Sequence, residues 1–271
     1  MRPLAALLAI AAIAAGATGC GADDVNPNVL AQAADATSRQ KGVHIEATGT
    51  FEFQGQSIPM RLDGDTDLAG REARFTFSSE AAGEEISGEQ ILQGTTIYMR
   101  MDLFEQAFGT EWVKMDVQKV LEQEGLDFGG LMQLGSQNPA EQLAWLRATA
   151  DLEEVGEEDV DGVQTTHYKA VIELRRVADA APEDERDEVR RSIDRLVELS
   201  GMERVPTEVW VDDENLIRRQ RMTMEQEKPQ PSTTTLDMRF SDYGKRVDVD
   251  APGGEVKDIT DLTAESLREQ G

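Results

Sequence analysis

Apolar and polar residues alternate with a period of two over much of this chain, and turn residues interrupt the alternation. From Val43 to Phe53, most odd positions are apolar and most even positions are polar. This is the pattern of a half-buried antiparallel strand. The same alternation predicts further strands around residues 58–68, 73–77, 85–92, 95–101 and 112–115, separated by turns such as Gln54-Gly55-Gln56 and Gln93-Gly94. The first half of the chain is therefore predicted to be a β-meander.

The second half returns to strands after a helical stretch. Strands are predicted at residues 152–160 and 163–174, joined by Asp161-Gly162, which is a strong signal for a short hairpin turn. Three more are predicted at 205–211, 216–225 and 234–243. The fold class predicted from this order is α+β, with one long antiparallel sheet and helical insertions.

Helices are predicted at three places along the chain. Residues 28–40 place apolar side chains on one side, and residues 183–200, opened by Pro182, do the same with charges on the opposite face. Between residues 116 and 150, Asn138-Pro139-Ala140-Glu141 has the cap, proline and acidic residue of a helix start. The glycines before it, Gly125, Gly129, Gly130 and Gly135, predict a segment able to move. From residue 250 the chain is polar, with a loop and a short last helix expected.

The N-terminus predicts a signal peptide followed by a lipidated cysteine. Arg2 precedes a run of Leu, Ala and Ile from Leu4 to Ala15, which is too short to span a bilayer. Cys20 is the only cysteine of the 271 residues and follows Ala17-Thr18-Gly19, so we expect removal of residues 1–19 and diacylglyceryl attachment at Cys20. Residues 20–28 would form a tether, and residues 29–271 a single domain. Cleavage by ordinary signal peptidase after Ala15-Gly16-Ala17 is the alternative.

The charge of the chain excludes one class of partner. Its net charge is −26 at pH 7, which repels the phosphates of nucleic acids and anionic lipid headgroups. We therefore expect no nucleic acid partner, and attachment to the membrane through the acyl chains rather than the protein surface. The simpler alternative is that the acidity only maintains solubility.

Recognisable catalytic and metal-binding motifs are missing from the sequence. The two histidines, His44 and His167, have no motif neighbour, and no hydrolase, metalloprotease or nucleotide signature occurs. The run from Asp63 to Asp67 matches the opening of a calcium loop, but Leu68 and Arg74 stand where that loop needs Gly and Glu. We expect no enzyme activity, no cofactor and no metal ion, with both histidines structural.

Two stretches carry a resemblance to a known family. They are Glu158-Asp159-Val160-Asp161-Gly162-Val163-Gln164-Thr165-Thr166-His167-Tyr168 and Val205-Pro206-Thr207-Glu208-Val209-Trp210-Val211-Asp212. Together with the lipidation motif and the meander, they resemble LolA-like lipoproteins of actinobacteria, of the LppX and LprG type. The resemblance implies a curved antiparallel half-barrel whose concave apolar face is covered by helices and encloses a cavity for acyl chains.

Large apolar side chains on the predicted inner face are the candidates for lining such a cavity. Methionine suits irregular hydrophobic ligands because it is flexible and polarizable. The candidate lipid-binding residues are Phe51, Phe53, Met60, Leu62, Phe75, Phe77, Ile97, Met99, Met101 and Leu131. The alternative is that these side chains touch the covering helices and form a filled core.

The function that follows from the resemblance is physical rather than catalytic. We expect an extracytoplasmic lipoprotein, anchored to the cell membrane, that acts as a noncatalytic carrier or chaperone for a lipid or lipidated molecule. Its partners would be an acyl-chain ligand, the membrane that holds its anchor and an envelope protein. The alternative function is an envelope interaction or sensor lipoprotein with a filled core.

Overall fold

The structure is a computed structural model of the chain. It describes residues 26, 28–68, 72–81, 84–123, 146, 149–180, 183, 186–228, 230–263 and 265. The predicted signal peptide, Cys20, the glycine-rich segment, Leu131 and the predicted helix start at Asn138 lie outside the described residues.

Alternating side chains build the strands of one large sheet. Within the described part of the chain the sheet has twelve strands, in the order β12-β6-β5-β4-β3-β2-β1-β11-β10-β9-β8-β7. The strands are β1 Gly42–Phe53, β2 Gln56–Asp67, β3 Glu72–Ala81, β4 Glu84–Gln93, β5 Thr96–Met101, β6 Trp112–Asp116, β7 Thr149–Val160, β8 Val163–Glu173, β9 Arg204–Asp212, β10 Ile217–Gln226, β11 Ser232–Ser241 and β12 Val256–Asp258.

Two meanders make up this sheet. Strands β1 to β6 form one and β7 to β11 the other, and they join where β1 pairs antiparallel with β11 from His44 opposite Ser241 to Phe53 opposite Ser232. The sheet is curved and unclosed. The α+β class and the curved antiparallel sheet predicted from the sequence are confirmed, with one exception, because β12 runs parallel to β6.

The turn between β7 and β8 shows how local sequence sets the register. Asp161 and Gly162 have φ values of 53° and 86°. Two successive residues with positive φ give the turn whose twist matches that of paired strands, and Asp-Gly adopts it at low cost. The predicted hairpin is therefore confirmed.

The helices among the described residues are α1 Val29–Ser38, α2 Asp102–Phe108, α3 Val117–Gln123, α4 Leu174–Ala180 and α5 Arg186–Ser200. Helices α1, α4 and α5 cover part of the concave, inner face. Leu30, Ala33 and Ala34 of α1 are buried because they share one helix face, and Val189 and Ile193 of α5 are buried for the same reason. These residues and inner-face residues of the strands form the main hydrophobic core.

Several elements differ from the sequence prediction. Helices α2 and α4 were not predicted, and the strand predicted through Leu174 ends at Glu173, where α4 begins. The polar tail contains strand β12. The stretch predicted as helical up to residue 150 gives way to β7 at Thr149. Each missed helix has only seven residues, which is too short for a clear 3.6-residue period.

Candidate functional site

The candidate site is an apolar groove on the inner face, where β1, β2, β3 and β11 lie side by side. Ala47 of β1 lies opposite Leu62 of β2 and Met238 of β11, and Leu62 lies opposite Phe77 of β3. Side chains of directly opposed residues point to the same face of a sheet. A row of apolar side chains therefore crosses four strands.

The groove has a volume of about 320 Å³, at the lower end of the range for small-ligand sites. All of its described lining residues belong to strands. They are Ile45, Ala47, Gly49, Met60, Arg61, Leu62, Phe75, Phe77, Ser78, Ser79, Gln90, Leu236 and Met238. Among the residues that the structure describes, helices α1, α4 and α5 pack on other parts of the inner face and leave this part uncovered.

Two glycines on the inner face make room for the phenylalanines of the groove. A Cβ atom at Gly64 would lie 2.7 Å from the Phe75 ring, and one at Gly88 would lie 2.6 Å from the Phe77 ring. Both distances are shorter than any real carbon contact, so a larger residue would displace the rings. Glycine at both positions lets the rings lie close against the sheet.

The structure brings four of the ten predicted lining residues together in the groove: Met60, Leu62, Phe75 and Phe77. Phe51 and Phe53 lie on the same face of β1, nearer the β1–β2 turn, and their rings stack with centroids 6.0 Å apart.

The other predicted residues lie elsewhere. Ile97 belongs to the main core and Met99 packs against it, and neither lines the groove. Met101 borders a separate polar hollow. Leu131 lies outside the described residues. Its part in lipid binding, like that of the nine described residues, stays a prediction.

Sequence reasoning missed the contribution of β11. Leu236 and Met238 line the groove, together with Ile45 and Ala47 of β1. Alternation within β11 gave a usable signal, because Leu236, Met238 and Phe240 occupy every second position. The pairing of β11 with β1 is a contact between residues about 190 apart, for example Ala47 and Met238. The alternation of a single strand carries no information on such a partner.

The convex, outer face of β7 to β11 carries a cluster of paired polar groups. The imidazole of His167 stacks on the Trp210 ring with centroids 4.2 Å apart, and the Arg219 guanidinium lies 4.5 Å from the centroid of the same ring. Trp210 donates a hydrogen bond to Glu158 at 2.7 Å, and Arg219 donates two bonds to Asp237 at 2.8 and 2.6 Å. The cluster ties adjacent strands together because its charges are satisfied within it.

One group of side chains on the outer face of β1 and β2 could hold a metal ion. Ligand atoms of His44, Glu46 and Asp63 all lie within 4.8 Å of one another. His44 also contacts Asp65 at 3.0 Å, and the Lys245 ammonium donates to both oxygens of Asp65 at 3.0 Å. Burial raises the pKa of the Asp65 carboxyl, but hydrogen bonds from Lys245 and His44 outweigh it and leave this pKa below its ordinary value. Asp65 and the Lys245 ammonium therefore form an ion pair beside this group.

A second hollow, of about 660 Å³, is larger than the groove but polar. Charged side chains of β2, β4, β5 and the neighbouring loop surround it, including Arg61, Glu89, Arg100 and Glu111. Glu89 already accepts hydrogen bonds from Arg74 and Arg100 at 2.8 Å each. This hollow is unsuited to hydrocarbon because its charged groups would lose their water.

Comparison with known proteins finds solved structures to which this chain is similar. The resemblance to LolA-like lipoproteins of the LppX type, predicted from the sequence, is found again there, since these structures include LppX and a LolA superfamily protein.

Solved structures similar to this chain include the Mycobacterium tuberculosis lipoprotein LppX, at 16% identity and a TM-score of 0.49, covering 83% of this chain and 100% of LppX. Another is LprF from Mycobacterium bovis, at 15% identity and a TM-score of 0.49, covering 84% of this chain and 97% of LprF. A LolA superfamily protein from Nitrosomonas europaea is 9% identical with a TM-score of 0.36, over 82% of this chain and 94% of that protein.

No family model matches the chain. One curated relative, an uncharacterized 31.2 kDa protein from the rplA–rplJ intergenic region of Streptomyces griseus, is 25% identical over 146 residues. The matched part is 53% of this chain and 46% of that protein, so the chain spans just under half of the relative's length. Among the described residues, no helix combines the length and the apolar character needed to cross a membrane.

Proposed function

We propose that this protein is a noncatalytic carrier or chaperone of the cell envelope, which holds the hydrocarbon part of a lipid or lipidated molecule in the inner-face groove. The observation that carries the proposal is the groove itself, because large apolar side chains line it, among them Met60, Leu62, Phe75, Phe77 and Met238. One of the similar solved structures, LppX of Mycobacterium tuberculosis, is a lipoprotein.

Burial of hydrocarbon supplies the binding free energy in this proposal. Each methylene group removed from water stabilises the complex by about 0.8 kcal/mol. Arg61 is the one charged side chain among the described lining residues, so a chain that packs on the apolar ones gains this free energy without desolvating a charge. No bond is made or broken, so binding and release would require only movement of the ligand and of the side chains around it.

A bulky residue in the groove tests this proposal. Ser79 lines the groove opposite Met60, and Ser79→Trp would fill part of the space where a chain lies. We expect a fluorescent fatty acid to bind the unmodified protein and to bind Ser79→Trp about tenfold more weakly, a loss of about 1.4 kcal/mol.

Gln164→Trp is the control. Gln164 is exposed on β8 and lies opposite Asp159 of β7, and neither residue lines the groove. Binding to Gln164→Trp should equal that of the unmodified protein. Failure of the unmodified protein to bind the probe would contradict the carrier proposal and favour an interaction or sensor lipoprotein.

That second function has one observation in its favour. Helices α1, α4 and α5 fill much of the inner face with their own side chains, including Leu30, Val177 and Ile193. A sensor would use this packed body as a support and contact its partner through the acidic outer surface. The groove, which the described helices do not line, favours the carrier over the sensor.

We further propose that the carrier is extracytoplasmic and anchored through a lipid on Cys20. The sequence supports this with the signal peptide at residues 1–19 and the lone cysteine after small residues. Residues 20–28 would then tether residues 29–271 as one domain to the membrane.

A further inference from the structure

On the outer face of β1, the His44 imidazole has one nitrogen paired and the other beside a second carboxylate. Its Nδ1 atom lies 3.0 Å from Oδ1 of Asp65, which stands directly opposite on β2. The Lys245 ammonium donates to both oxygens of this carboxylate, so Asp65 accepts and Nδ1 carries the proton. The lone pair of the neutral imidazole is then on Nε2.

The contact between Nε2 and Asp63 has the spacing of two ligands of one ion. The Nε2 atom lies 3.4 Å from Oδ2 of Asp63. A hydrogen bond from a charged nitrogen to a carboxylate is shorter, about 2.7–2.9 Å. Zinc bonds to nitrogen and oxygen of about 2.0–2.2 Å place two tetrahedral ligands about 3.3–3.6 Å apart. The observed distance therefore fits a shared metal ion better than a hydrogen bond.

Glu46 supplies a third ligand from the same face. It follows His44 by two residues on β1 and stands directly opposite Asp63, and the ligand atoms of the three residues lie within 4.8 Å of one another. Carboxylates opposite each other in a sheet repel. Arg239 stands opposite Glu46 on β11 but donates to Asp161. Two carboxylates and a neutral imidazole carry two negative charges, which a divalent cation balances.

We propose that His44, Glu46 and Asp63 bind a divalent transition-metal ion of the zinc type, with water completing its coordination. The imidazole favours zinc and its neighbours over magnesium and calcium, which prefer oxygen ligands alone. Asp65 is a positioning residue in this site. A metal-binding imidazole usually donates its other N–H to a carboxylate, which fixes the ring and its tautomer.

This site replaces the structural role that the sequence predicts for His44. Metal-binding motifs are recognised by short spacings within one helix or loop. Here the ligands come from two strands, and His44 and Asp63 are brought together only by the pairing of β1 with β2.

The metal site and the groove occupy opposite faces of the same strands. Ile45 and Ala47 alternate with His44 and Glu46, and they line the groove on the inner face. The two sites share none of these side chains. The metal site is therefore tested independently of the carrier function.

Calorimetric titration with zinc chloride tests the site. The full chain is used with Cys20→Ser, so that no thiol competes for the metal. We expect one Zn²⁺ ion to bind per chain and to stay bound in about a hundredfold excess of Mg²⁺. His44→Gln and Glu46→Gln in this chain should each weaken zinc binding by about tenfold or more.

Glu52→Gln is the matched control for Glu46→Gln. Glu52 is exposed on the same face of β1 and stands opposite Ser57 instead of a carboxylate. Its replacement removes the same charge without removing a ligand. The Glu52→Gln chain should therefore bind zinc as tightly as the Cys20→Ser chain.

Melting temperatures show whether the variants fold. Without metal, Glu46→Gln should melt no lower than the Cys20→Ser chain, because a pair of like charges is removed. Zinc should raise the melting temperature of the Cys20→Ser chain and of Glu52→Gln, but not that of Glu46→Gln.

Two results would overturn the proposal. Displacement of zinc by magnesium would show that the acidic surface attracts cations without a specific site. Equal zinc affinity in Glu46→Gln and Glu52→Gln would show that Glu46 is not a ligand.

Discussion

Asp237 is the residue that pairs with two arginines on the outer face. Its carboxylate accepts hydrogen bonds from Arg219 at 2.6 and 2.8 Å and from Arg221 at 2.8 and 3.1 Å, and its side chain is only 18% exposed. Burial raises the pKa of Asp237, but the bonds from Arg219 and Arg221 outweigh this and hold the pKa below its ordinary value. Arg219 in turn packs on Trp210, so the carboxylate fixes the position of a guanidinium over an aromatic ring.

Replacing Asp237 should lower the free energy of unfolding by an amount that depends on pH. Asp237→Asn removes charge-assisted hydrogen bonds and should lower the free energy of unfolding at pH 7 by about 1–3 kcal/mol. The pKa of Asp237 is lower in the folded protein than its unfolded value of about 3.9, so the charged carboxylate stabilises the folded protein above that pH. This stability is lost as the pH falls through the folded-state pKa. Urea unfolding from pH 7 to pH 3 should therefore show that the unmodified protein loses this contribution in acid.

Asp248→Asn provides the control for this experiment. Asp248 pairs with Arg246, but its side chain is 73% exposed, and an exposed pair contributes little. A decrease at pH 7 as large as that of Asp237→Asn would contradict the role given to the outer-face cluster, and so would equal acid losses in Asp237→Asn and the unmodified protein.

At the scale of elements, the C-terminal segment forms a second, small core on the outer face of the first meander. Val249 is buried against Ile91 and Trp112, and the Gln93 side chain donates to the Val249 carbonyl oxygen at 2.9 Å. Strand β12 then pairs with β6. The segment thus covers apolar side chains on the face that would otherwise be solvated.

Truncation of Val249 should therefore cost stability. Val249→Ser removes most of a buried apolar side chain and should lower the free energy of unfolding by about 1–3 kcal/mol, measured by urea denaturation. Val155 of β7 is 47% exposed, so Val155→Ser should change the free energy of unfolding by less than about 0.5 kcal/mol. Equal losses in the two variants would show that the segment does not stabilise the sheet.

The elements also show what the sequence could predict. Alternation fixed the strands of both meanders, because burial on one face imposes a period of two over ten or more residues, as in β1 and β2. Strand β12 escaped prediction because its three residues, Val256–Asp258, depend on pairing with β6 rather than on a pattern of their own. Met60, Leu62, Phe75 and Phe77 of the groove were predictable for the first reason. Its β11 side was not, since tertiary structure decides which strand pairs with which.

At the scale of the whole molecule, attachment to the membrane should depend on one atom, the sulfur of Cys20. If two acyl chains form the anchor, Cys20→Ser should move the protein from the membrane to the soluble fraction of cells that make it, because no other stretch of the sequence reaches spanning length. Cell fractionation with detergent phase separation measures this. Ser38→Ala, a change of similar size in α1, should leave the protein in the membrane fraction.

Among the strands that the structure describes, the two meanders meet along one pair, β1 and β11, and the terminal strands β7 and β12 do not pair with each other. A closed barrel has a diameter dictated by its number of strands and their stagger. An open sheet has no such constraint, so small changes in twist at the β1–β11 seam would widen or narrow the space between the meanders. An open sheet can therefore accept molecules of different width without breaking the hydrogen bonds between its strands.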